Sequence, residues 1–195
     1  MARGPNGQIK KRPKNTKKRP STPIQKKLAR EITHSVWQIE TIRVNQEWKD
    51  QGMASIQLLQ REEGHIESYR MVAFLVDLRG LGLKDAFIKA NVSRRVFERI
   101  DQLRALNADA SKMVSCSEDL MRRLVFGGLV WARQHGFHTP VEVLRITERV
   151  FGPVSDLEES DLSEFGYEGK PLLIGSLDGL MPFLGNLDET RAIRH

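Results

Sequence analysis

One cysteine, Cys116, stands in 195 residues. That excludes an intrachain disulfide and a cysteine-based metal cluster. No apolar run approaches the roughly 20 residues a membrane-spanning helix needs, and the N-terminus lacks the apolar stretch of a secretory signal. The expected setting is therefore cytoplasmic, or nuclear in a eukaryote, with no membrane partner. The chain contains no G-x-S-x-G, no H-E-x-x-H, no Walker loop and no G-x-G-x-x-G, so the common nucleophile, zinc and dinucleotide chemistries have no motif here. The first thirty residues lack both acids and aromatics.

What those thirty residues do contain is eleven Lys or Arg. The other 165 residues hold 20 basic against 25 acidic side chains, so the overall +6 conceals a cationic arm on a mildly acidic body. Residues 154–195 form the acidic end, with nine carboxylates against three basic residues. The arm, residues 1–22, is rich in proline and after Met1 has Ile9 as its one large apolar residue. It cannot bury enough surface to offset the roughly 1–2 kcal/mol per residue that backbone ordering costs, so a disordered basic arm is expected. Facing a polyanion, each Lys or Arg that neutralises a phosphate releases a counterion. Lys10, Lys11, Arg12, Lys14, Lys17, Lys18 and Arg19 are the candidate contacts. With no aromatic among them, base stacking is not encoded, and phosphate contact independent of sequence is the natural reading.

Residues 23–35 read as a linking amphipathic helix. Ser21 or Thr22 can cap it, Pro23 suits its first position, and Ile24, Leu28 and Ile32 share a face. Lys26, Lys27 and Arg30 on the other face extend the candidate basic track.

Residues 36–153 read as an α+β domain. Strands are expected over Val36–Val44, Met53–Glu62 and Ser68–Leu78, the last two joined as an antiparallel hairpin and the last one central because it is apolar on both faces. The period then lengthens to that of helices. Ser93 can cap one with Val96, Phe97, Ile100, Leu103 and Leu106 on its stripe. Ser115 and Glu118 have capping-box spacing before a second, with Leu120, Leu124, Val125 and Trp131 inward and Gly136 as its stop. Thr139 and Glu142 open a third, with Pro140 at its first position and Gly152-Pro153 as its end. The expectation is a small antiparallel sheet of about three strands with about three helices on one face. Pro171–Gly175 adds a possible edge strand within the acidic extension, residues 154–195.

Candidate chemistry is sparse. His135 and His138 stand three apart across a glycine and lack a third ligand nearby, so neither a metal nor a cofactor is expected. Cys116 precedes an expected helix, where a thiol pKa tends to fall, but packing as a small hydrophobe is the simpler reading. Gly127-Gly128 within a helix costs roughly 1 kcal/mol per glycine and points to close approach by the sheet. The stretch FLVDLRGLGLKDAF, Phe74–Phe87, reads as a strand, a glycine corner where Gly80 and Gly82 permit positive φ, and a helix opened by Lys84 and Asp85. A pocket there would use Asp77 as acid or metal ligand, Lys84 as cation and Asp85 beside them. The plainer reading is a corner in which Asp77 or Asp85 accepts from backbone N–H groups.

F-L-V-D-x-x-x-L-G-x-K-D-A, Phe74–Ala86, resembles a motif in a group of uncharacterised bacterial proteins. Asn45 with Trp48, Leu124–Gly128, His135–Phe137 and Gly169–Pro171 resemble further parts of that group's pattern. Arg79-Gly80 departs from it, standing where the group's pattern suggests an aromatic or small residue and then cysteine. The resemblance implies one continuous domain over roughly residues 36–175 and no particular activity, and the basic arm lies outside it.

The expected function is therefore a nucleic-acid-associated protein, with structured RNA favoured over DNA and a ribonucleoprotein such as the ribosome as a natural partner. The alternatives are an enzyme with its pocket at the Asp77–Asp85 corner, or a protein-interaction module whose arm is a localisation signal.

Overall fold

The structure, a computed structural model, describes residues 36–105, 111–154, 162–173, 180–181 and 183–184. The fold is α+β. Five antiparallel strands, β1 (Trp37–Asn45), β2 (Met53–Glu62), β3 (Tyr69–Asp77), β4 (Gly82–Ala90) and β5 (Met113–Ser115), lie in the order β4-β3-β2-β1-β5. Among the described residues four helices accompany them: the single turn α1 (Trp48–Gln51), then α2 (Arg94–Ala105), α3 (Glu118–Gln134) and α4 (Val141–Phe151). The three strands expected from alternation are present, and the sheet has two more. The arm, the linking helix of residues 23–35 and all ten of their basic candidates lie outside the described residues.

β4 corrects the expected helix at Lys84-Asp85. The segment turns back and pairs with β3, Phe74 opposite Ala86 and Val72 opposite Ile88. Leu83, Ala86 and Ile88 face the core while Phe87 and Lys89 face away. A register shift between Leu75 and Val76, opposite Asp85 and Leu83, inserts one extra residue and hides this alternation from a period-2 reading. Gly82 takes φ +76°, as the tight return requires. Gly80 is not in the left-handed region; its lack of a side chain serves close approach, since a Cβ there would lie 2.8 Å from an Asp77 carboxylate oxygen and 3.0 Å from the Leu172 carbonyl.

Helices cover both faces of the sheet, not one. Successive strand residues point to opposite sides. Ile56, Leu58, Val72, Phe74 and Val76 join Leu124, Val125, Trp131 and Val143 from α3 and α4 in the main core. Their neighbours Leu59 and Met71 face the other way and pack on Phe97 of α2 and on Val92. Val96, placed on the inward stripe of α2 by its spacing, is 47% exposed instead.

Two helix starts shift. Ser117, not Ser115, caps α3, its hydroxyl accepting from the Leu120 N–H at 3.1 Å, because Ser115 is taken into β5. Pro140 precedes α4 as its cap residue, and no side chain caps it, so Thr139 and Glu142 form no capping box. Ser93 does cap α2, accepting from the Val96 N–H at 3.2 Å. Pro171, Leu172 and Leu173 do not form the expected edge strand. They run across the β3–β4 turn, held by one bond from the Leu172 N–H to the Arg79 carbonyl.

Candidate functional site

The β3–β4 turn is the point where distant parts of the chain meet. Asp77 ends β3, and its two carboxylate oxygens accept from the N–H groups of Arg79, Gly80 and Leu81 at 3.2, 2.9 and 3.2 Å. The Asp77 side chain thus closes the turn, as Asx chemistry does when a strand must reverse with few residues. On one side lies α3. Trp131 donates its indole N–H to the Gly80 carbonyl at 2.8 Å within the core, and the His135 ring stacks on that indole at 3.9 Å. On the other side lies the segment of residues 162–173, where the Gly166 N–H bonds the Leu78 carbonyl at 2.7 Å. Gly166 allows Trp131 to pass, since a Cβ there would sit 2.5 Å from the indole.

The third neighbour is α1. Asn45, 3% exposed, holds it to β2: its amide donates to the Gln51 side-chain oxygen of α1 at 3.1 Å and to the Met53 carbonyl at 2.9 Å, and its carbonyl oxygen accepts from the Ser55 N–H at 2.7 Å. Trp48 is buried under this turn. The stretches around Asn45, Asp77, Gly128, His135 and Lys170 therefore come together around one turn.

A cleft of about 300 Å³ opens between these pieces, lined by Trp48, Lys49, Gly52, Leu78, Arg79, Ser163, Glu164 and Gly166. Arg79 lays its side chain over Gly52 and donates to the Asp50 carbonyl at 2.6 Å. Glu164 gathers Lys49 at 3.2 Å and Arg123 of α3 at 3.7 Å. This arrangement holds chain segments by charge. Spacing along the sequence gave no sign of Lys49, Arg123 or Glu164, because each pairs with a residue far away in the chain.

The expected pocket residues separate. Asp77 is taken up by the turn. Lys84 is half-buried on β4. Asp85 is exposed and accepts from the Ala86 N–H at 2.8 Å. His135 and His138 also part, the first stacking on Trp131 and the second held through its backbone N–H to the Phe183 carbonyl at 2.7 Å. Among the described residues no group of three or more His, Cys, Asp and Glu is placed to hold a metal ion.

Among the described residues, two groups have shifted acidity. Burial raises the Cys116 thiol above its ordinary value, the reverse of helix-terminus activation, and Cys116 packs at the rim of the main core. Arg70 is 3% exposed. It donates to Gln60 at 2.8 Å and lies 4.3 Å over the Trp37 ring. Burial, with Arg149 nearby, lowers its pKa to about 10.

No family model, curated protein or solved structure matches this chain. Among the described residues no helix is long and apolar enough to cross a membrane.

Proposed function

We propose that the chain is a nucleic-acid-associated protein whose N-terminal arm contacts phosphates, with structured RNA as the preferred ligand. The observation that carries this reading is the segregation of charge: eleven Lys or Arg and no acid in the first thirty residues. A solubilising tail has no need to exclude acids so completely, and a polyanion partner does. The absence of aromatics from the arm favours phosphate contact over base reading. The enzyme reading has less support, because the carboxylate it needs, Asp77, already accepts three backbone hydrogen bonds. Isolation of the native full-length protein tests the proposal. RNA that co-purifies and is released by salt or ribonuclease supports it. A preparation free of nucleic acid at low salt, and unable to bind added RNA, counts against it.

A further inference from the structure

β4 forms one margin of the sheet. It pairs with β3 on one side, and among the described residues no strand lies on its other side. A nine-residue edge is a template for another strand unless something blunts it. The bulge blunts the end near Lys84, and the Asp85 carboxylate accepts from the Ala86 N–H, a bond it exchanges for Lys89 of a second copy. Beyond the bulge, Asp85 to Ala90 pair regularly with Leu75 to Arg70, so this stretch is straight enough to accept a neighbour.

The outward side chains of that stretch are Asp85, Phe87 and Lys89, all exposed. Phe87 is 48% exposed, unusual for so large an apolar group. Acid, aromatic, base, centred on the aromatic, is a self-complementary order. When two copies of this strand lie antiparallel with Phe87 opposite Phe87, Asp85 falls opposite Lys89 of the second copy, and Lys89 opposite its Asp85. Aromatic and opposite-charge pairs directly across an antiparallel ladder are the favourable kind. Moving the centre one residue either way, the smallest step that keeps these side chains on one face, sets Phe87 against Asp85 or against Lys89 and separates the acid from the base. The charges therefore select one register.

We propose that the chain forms a two-fold dimer through β4, joining two five-stranded sheets into one. A two-fold axis at Phe87 makes the contact isologous, so it closes at two copies and leaves no further edge of that kind. The inference is independent of the nucleic-acid reading.

Sedimentation velocity on the nuclease-treated full chain, over a concentration series, tests it. The expected result is a reversible monomer–dimer equilibrium. Asp85→Lys and Lys89→Asp each weaken the dimer by on the order of tenfold, since each turns two attractive pairs into repulsive ones. Mixed together, the two variants form a heterodimer of near wild-type strength, because every acid again meets a base. The double variant D85K/K89D dimerises like the wild type. Should a single variant fold poorly, the double variant and Phe87→Lys, expected to be monomeric, keep the comparison intact. A monomer throughout the series, or a dimer that the single variants leave unchanged, overturns the proposal.

Discussion

Gly82 and Gly128 meet backbone to backbone. A Cβ on Gly82 would overlap the Gly128 carbonyl oxygen, and a Cβ on Gly128 would lie 2.8 Å from the Leu83 nitrogen and 3.1 Å from the Val76 side chain. This contact seats α3 on the β3–β4 turn and lets Trp131 reach the Gly80 carbonyl. The two glycines are conformationally costly in isolation. Together they allow a helix-to-strand approach that no larger residue permits.

The contact orders three substitutions. Gly82→Ala is strained by its φ of +76° as well as by the overlap. It should cost the most, above the ~1–3 kcal/mol typical of overpacking. Gly128→Ala meets backbone and should cost about 1–3 kcal/mol despite alanine's better helix propensity. Gly127→Ala meets the edge of the Phe165 ring at 2.7 Å, a side chain with some freedom to tilt, and should cost least. Urea denaturation of the three variants measures the order, and equal losses would contradict it.

Asp77→Ala should destabilise by about 1–3 kcal/mol, because up to three backbone N–H groups lose their acceptor in a partly buried turn. Asp77→Asn keeps one acceptor oxygen and should lose less. If Asp77 were instead a catalytic acid, neither change would alter the unfolding midpoint.

The sheet was legible because its signals are local. Trp37–Asn45, Met53–Glu62 and Tyr69–Asp77 show β-branched or alternating patterns and are bounded by turns. β4 was hidden by the extra residue opposite the Leu75/Val76 step, which breaks the period, and by a Lys-Asp pair that also suits a helix start. Close packing at Gly127-Gly128 could be anticipated from the helical spacing around them, whereas their partners, Phe165 and Leu83, could not. The surroundings of the candidate pocket residues were out of reach for a related reason. Asp77, Lys84 and Asp85 are near in sequence, but their side chains serve the turn and two different parts of a strand. The ion pairs of Glu164 with Lys49 and Arg123 depend on contacts that only the fold creates.

Arg70 and Gln60 form a buried polar pair. Arg70→Met should cost about 1–3 kcal/mol because it strands the Gln60 carbonyl oxygen, and the double variant Arg70→Met/Gln60→Leu should recover most of the loss. The folded pKa of Arg70, about 10, lies below its ordinary value, so between the two the unfolded chain binds more protons. Stability gains from this group only as pH rises through that window, and the cost of burying the charge is fully present at neutral pH. Thermal melts of the variants at neutral pH check the pair.

Cys116 should alkylate slowly in the native protein. Its raised pKa reduces the thiolate fraction, and its position at the core rim restricts access. Iodoacetamide labelling at pH 8 should run at least about tenfold slower than in urea. Because the folded thiol holds its proton longer, its contribution to stability should fall as pH rises through the ordinary thiol range.

The most direct test of the proposed function is RNA affinity measured against salt concentration, for the full chain and for a chain lacking residues 1–22. The arm removed carries Lys10, Lys11, Arg12, Lys14, Lys17, Lys18 and Arg19. Its loss should weaken binding at low salt by orders of magnitude and flatten the log–log salt slope by roughly 5–6, given about 0.7–0.9 per neutralised phosphate. An unchanged affinity with an unchanged slope would contradict the account.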